Sequence, residues 1–185
     1  MDVTPAIATI VAAFADDPVE RWLYPAEAEY LEHFPRFVEA FAGAGTVSAV
    51  EDFAAVAVWL PPGAEPDGDA IGAVYTETVD PAKHEDTFAV AGQMDDAHPR
   101  FAHWYLPWLA VRPERQGGGL GAALLRAGLA RVDADGIPAY LETPNPRTIP
   151  LYERHGFAVT AVAQAGECPP VTCMLRTART PAAGR

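Results

Sequence analysis

Between the arginines at 112 and 115 and the alanine at 122 the chain reads Arg112-Pro113-Glu114-Arg115-Gln116-Gly117-Gly118-Gly119-Leu120-Gly121-Ala122. Leu120, Leu124, Leu125, Leu129 and Val132 then recur at helical spacing. A strand that runs through closely spaced glycines into a helix leaves several backbone N–H groups unpaired around one point, with the positive end of the helix dipole behind them. Such a turn binds phosphate. Glycines let the anion approach the backbone, and Arg112 and Arg115 add positive charge to an otherwise acidic chain. The plain alternative is a flexible turn ahead of a helix.

Three phosphate-binding patterns compete for this turn. A P-loop ends in Gly-Lys-Ser/Thr, and the single lysine of the chain, Lys83, lies far away. A dinucleotide fingerprint is met formally by Gly117, Gly119 and Ala122, with Glu142 ending the next strand where a ribose-binding acid would sit. Only about 40 residues follow Glu142, too few for the other half of a doubly wound sheet at about 30 residues per unit. The third pattern, Gln/Arg-x-x-Gly-x-Gly/Ala, is met by Gln116, Gly119 and Gly121.

With that pattern, the chain resembles the GNAT acetyltransferase superfamily. The likeness is carried by Leu109-Ala110-Val111-Arg112-Pro113 before the glycine turn, Leu141-Glu142-Thr143 after it, and then Leu151-Tyr152-Glu153-Arg154-His155-Gly156-Phe157. Ala54-Ala55-Val56-Ala57-Val58-Trp59, Pro138-Ala139-Tyr140-Leu141-Glu142-Thr143 and Cys173-Met174 are similar to puromycin N-acetyltransferase-like members. The resemblance implies a mixed, mostly antiparallel α/β sheet flanked by helices, with acetyl-CoA as co-substrate. It implies that the main chain at Leu109, Ala110 and Val111 meets the pantetheine arm and thioester. It also implies that Arg115, Gln116, Gly117, Gly118, Gly119, Leu120, Gly121 and Ala122 hold the pyrophosphate. Two departures stand out. Thr148 occupies the position of a usual asparagine, so a cofactor contact there is made by a hydroxyl instead of an amide. Relatives begin with a strand, and here the first element is a helix, so either the first strand is missing, leaving an exposed sheet edge, or the true start lies upstream.

Direct attack of an amine on a thioester needs a neutral amine, a donor for the developing oxyanion and a proton for the departing thiolate. Tyr152 matches the family's motif tyrosine, which implies a general acid toward the CoA sulfur. Strand alternation sets His103, Tyr105, Pro107, Leu109 and Val111 on one face, so that His103 and Tyr105 flank the amine. Glu142, on the neighbouring strand, is the other candidate base, and a base acting through water is a third route.

These residues need elements to position them. Ile7, Ile10, Val11 and Phe14 predict a helix opened by Thr4-Pro5 and ending near Asp16-Asp17-Pro18. Tyr30, Leu31, Phe34, Phe37, Val38 and Phe41 predict a second, stopped by Gly43 and Gly45. Two strands follow around a turn near Glu51-Asp52, the second running through residues 54–60. Residues 61–100 read as loop plus one or two helices, a variable segment on the acceptor side. A strand through residues 103–111, the glycine turn and its helix, a strand at 139–143, a short helix at 151–154 and two closing strands complete one domain, residues 1–178. A tail spans 179–185.

At 185 residues the chain holds one domain and no second catalytic unit. Its 50% hydrophobic content is enough for a real core, and its charge of −12 argues against general nucleic-acid binding. Cys168 and Cys173 lie near no His or Cys cluster, so neither a zinc site nor a disulfide framework is indicated, and no metal is expected. No positive segment precedes the apolar start and no stretch is long enough to span a bilayer, so the expected location is cytoplasmic. The resulting expectation is acetyl transfer from acetyl-CoA to a primary amine of a small, cationic molecule, with Asp86, Asp95 and Asp96 as acids on the acceptor side. The expected partners are these two molecules, without nucleic acid or membrane and with a homodimer allowed. The alternatives are a protein or peptide acetyltransferase and a CoA-binding module without turnover.

Overall fold

In the computed structural model, which describes residues 2–178, the chain opens with three helices, α1 (Thr4–Ala13), α2 (Pro18–Leu23) and α3 (Glu27–Ala42). Strands β1 (Thr46–Val50) and β2 (Ala55–Leu60), helices α4 (Gly68–Thr78) and α5 (His84–Ala97) and strand β3 (Trp104–Val111) follow. The second half runs α6 (Leu120–Asp135), β4 (Ala139–Thr143), α7 (Ile149–Arg154), β5 (Ala158–Ala163) and β6 (Val171–Arg176). The sequence reading has no counterpart for α2. Pro18 reads as the end of the first helix, yet Asp17 caps a new one by accepting from the Val19 and Glu20 N–H groups, with Pro18 in the first turn where a missing N–H does no harm. The expected tail at 179–185 lies outside the described residues.

The strands form one six-stranded sheet in the order β1-β2-β3-β4-β6-β5, antiparallel except between β3 and β4. Among the described residues no strand precedes α1, and β1 is an edge of the sheet. Strand β2 is buried on both faces, which explains its unbroken apolar run. Val56, Val58 and Leu60 pack with α1 and α3 through Ile10, Phe34 and Val38. Ala55, Ala57 and Trp59 pack with α6 through Leu124, Leu125 and Leu129. Helix α6 approaches closely because Gly128 presents no side chain: a Cβ there would sit 2.3 Å from the Trp59 indole nitrogen.

Two features of β3 shape the site. It pairs with β4 only at Trp104 opposite Ala139 and Tyr105 opposite Tyr140, after which the two parallel strands part. It also carries a register shift against β2 between Val58 and Leu60, where Pro107 can give no N–H to a ladder. The shift overturns the single face expected for His103 through Val111. Tyr105, Trp108 and Ala110 pack toward α1 and α3, whereas Trp104, Leu106, Leu109 and Val111 pack toward α6 and α7.

Candidate active site

Beyond the shift the Arg112 N–H donates to the Ala54 carbonyl at 2.9 Å, so alternate residues of β3 direct their backbone groups at β2. Leu109 and Val111 therefore direct theirs at the side from which β4 has withdrawn. The Val111 carbonyl on that side accepts from the Gln116 amide at 3.1 Å. The parting of β3 and β4 thus offers an open strand edge leading to the glycine turn.

In the turn itself, Gly117 and Gly119 have φ of 78° and 82°, the left-handed region that costs a side chain energy, and Gly119 is the N-cap of α6. The Arg115 and Gln116 N–H groups close back on Arg112 and Pro113, and the Ala123 N–H is the first to find a helical partner, on Gly119. Between them the N–H groups of Gly117, Gly118, Gly119, Leu120, Gly121 and Ala122 meet no acceptor among the described residues. Gly121 lets the helix start close on β3, since a Cβ there would lie 3.2 Å from the Val111 side chain. Six unpaired donors at and just before the head of a 16-residue helix make an N-terminus that can receive an anion. Arg115 is ion-paired with Glu51, an exposed contact that a phosphate can displace.

Tyr152 is buried on the α6 side of the sheet, packed edge-on to Phe157 at 5.9 Å and in one cluster with Leu141, Leu109 and Val111. Its hydroxyl makes no hydrogen bond to a protein group among the described residues. Burial pushes the phenol above its usual value, so it enters any reaction protonated. The turn before α7 is fixed internally: Thr148 donates to the Asn145 carbonyl at 2.8 Å and its oxygen lies 2.7 Å from that of Thr143. The Thr148 proton is thereby committed to the turn that aims Tyr152.

Glu142, Tyr105 and His103 come together on the opposite face. The Glu142 carboxylate accepts from Tyr105 at 2.6 Å and from Tyr140 at 3.1 Å. Burial, followed by the Glu142 charge, drives both phenols well up, so they stay donors. His98, which the sequence reading does not single out, stands between the two candidate bases. Its Nδ1 is 3.6 Å from Glu142 and its Nε2 is 3.0 Å from the His103 Nε2, while His103 Nδ1 faces the Phe101 carbonyl at 2.8 Å. Two neutral imidazoles can fill two of these three contacts with protons, and a third proton completes the line. Burial lowers the His103 pKa below its usual value. Among the described residues no group of three or more His, Cys, Asp or Glu is arranged to hold a metal ion.

Glu142 forms part of the wall of a cavity of about 110 Å³. Its other walls come from α2, α3, α4, α5 and β3, including Glu20, Phe41, Tyr75, Thr87 and Trp108. Residues 61–100 supply Tyr75, Thr87, Val90, Ala91 and Met94. Of the acids expected to face an acceptor, none lines this cavity, and two are engaged elsewhere. Asp86 accepts from the Glu167 N–H at 3.0 Å, Asp95 pairs with Arg100 at 2.8 Å, and Asp96 is exposed. Cys168 is part of the cavity wall, but burial pushes its thiol up to about 11; burial also raises Cys173, so both are thiols at neutral pH. Neither is poised as an acyl-accepting nucleophile.

A family model described as the acetyltransferase (GNAT) family matches residues 14–157. An uncharacterized N-acetyltransferase of Schizosaccharomyces pombe is 29% identical over 180 residues, covering 84% of this chain and 70% of that protein. A mycothiol acetyltransferase of Salinispora arenicola is 39% identical over 99 residues, 51% of this chain, which spans only 31% of that enzyme. Among solved structures, a Corynebacterium glutamicum protein described as histone acetyltransferase HPA2 and related acetyltransferase shares 25% identity at a TM-score of 0.68, over 97% of this chain and 93% of that one. Arylalkylamine N-acetyltransferase 2 of Aedes aegypti shares the fold at 11% identity and a TM-score of 0.62, over 94% and 93% of the two chains.

Proposed function

Because this chain belongs to the GNAT acetyltransferase family, whose acyl donor is acetyl-CoA, we propose that it moves the acetyl group directly to the primary amine of a small cationic molecule. The observation that carries this reading is Glu142: a carboxylate whose side chain is 9% exposed, held by two phenols, in the wall of a cavity at the point where β3 and β4 part. In this reading the main chain of Leu109, Ala110 and Val111 holds the pantetheine arm. Arg115, Gln116 and residues 117–122 hold the pyrophosphate, with Thr148 beside them.

Glu142 takes a proton from the incoming ammonium and passes it along His98 and His103 toward solvent. The free amine attacks the thioester carbonyl carbon, forming the C–N bond. As the C–S bond breaks, Tyr152 gives its hydroxyl proton to the departing sulfur, and the second proton lost by the nitrogen restores the phenol. One proton leaves per turnover. The base and acid act from opposite faces of the sheet and meet through the gap between its parted strands. Within the family, residues 54–59 and 138–143 favour the puromycin N-acetyltransferase-like members. Helices on several sides of the cavity favour a small acceptor over a peptide.

The test is thiol release from acetyl-CoA against a panel of alkyl and aryl amines, with the acetylated product identified by mass. Transfer to small amines supports the reading. Acetylation of lysine peptides alone would replace it with a protein acetyltransferase, and a slow basal release indifferent to Tyr152→Phe would leave a CoA-binding module.

A further inference from the structure

Glu20 has no job in the chemistry above, yet it lies in the wall of the same cavity as Glu142. It is 7% exposed, and its carboxylate accepts no hydrogen bond from a protein group among the described residues. Its neighbour Asp17, 5% exposed, already accepts from the Val19 and Glu20 N–H groups and brings a second negative charge instead of a partner. A buried carboxylate left in this condition costs the fold stability, which a sequence would ordinarily remove. Two other groups of the wall are also short of partners: the Thr87 hydroxyl and the Trp108 indole N–H are buried without any. Phe41, Tyr75 and Trp108 line the same cavity as the two carboxylates, and aromatic rings attract cations in their own right.

We propose that the acceptor is a diamine, two ammonium groups on a short apolar or aromatic spacer, with one nitrogen delivered to Glu142 and the other received by Glu20. This rests on the acetyl-transfer reading and names its substrate class. The cavity, about 110 Å³, is smaller than one of about 150 Å³ that takes a benzene ring, so it encloses a chain of a few carbons or the edge of one ring, with the rest of the acceptor lying in the opening. A monoamine of the same length would leave the Glu20 carboxylate unpaired and shut away from water. A long polyhydroxylated amine would not fit among these side chains.

The experiment compares p-xylylenediamine with benzylamine, and 1,5-diaminopentane with pentylamine, by kcat/KM for thiol release. The ratio within each pair is read for the wild type and for Glu20→Gln. The expected result is a diamine preference of at least tenfold in the wild type that falls to about one in the variant. Binding of each amine, followed through the Trp108 indole resonance without acetyl-CoA, gives the same ratio independently of turnover. Equal use of both members of a pair by the wild type, or a preference that survives Glu20→Gln, overturns the proposal while leaving acetyl transfer standing. Absence of transfer to all four amines, with no perturbation of the indole by any, overturns both.

Discussion

Tyr152 and Glu142 illustrate how far residue type alone carries a catalytic assignment. A tyrosine in an apolar helix is usually core, and Tyr152 is indeed packed on Phe157; what sets it apart is a hydroxyl without a partner beside an open strand edge. Tyr152→Phe removes one oxygen and no packing, so kcat is expected to fall about 100-fold or more with acetyl-CoA affinity nearly unchanged, as kinetics and calorimetry would show. An equal fall in affinity would mean a binding role. The line from Glu142 through His98 to His103 has its own signature. Burial lowers the His103 pKa, so the neutral, proton-accepting ring persists to lower pH than in an exposed histidine. The acid limb of kcat/KM should accordingly lie below about 6.5, and a limb centred above that value would remove His103 from the proton path.

At the scale of elements, the glycine turn and α6 are legible because their backbone demands glycine: positive φ at Gly117 and Gly119, close approach at Gly121 and Gly128. Gly128→Ala is expected to cost about 2 kcal/mol by forcing α6 off Trp59, lowering Tm by about 6 °C; an unchanged melting curve would show that the helix has slack. Two other elements resist a reading from sequence. An Asp-Pro pair ends one helix as readily as it starts another, so α2 is hidden, and Glu20 with it. The register shift in β3 turns Tyr105 and Leu109 to opposite faces, which strict alternation cannot foresee. His98 follows α5 in a segment without strong periodicity, and its partner Glu142 is brought to it only by the fold.

Over the whole molecule, the net charge of −12 draws cations toward a cavity that already holds two carboxylates, while in the proposed reading the anionic cofactor is met by one local cluster of N–H groups and Arg115. The arrangement has a stability consequence. Burial raises Asp17 to about 6 and Glu20 well above its usual value. Both bind protons more tightly in the folded chain, so the stability they permit is present at acid pH and is lost as pH rises through those values. Glu20→Gln should therefore melt about 4 °C above the wild type at pH 8, with the gap closing toward pH 5 in calorimetric scans; a constant or inverted gap would mean that Glu20 has a partner.

The claim at the centre of this account is that Glu142 receives the amine's proton where β3 and β4 part. It is tested most directly by the kcat of thiol release for Glu142→Gln relative to the wild type, at pH 7.5 with saturating acetyl-CoA and p-xylylenediamine. The variant keeps the size of the side chain and an acceptor for Tyr105 but cannot take a proton, so kcat should fall about 100-fold. Full turnover by Glu142→Gln would contradict the account.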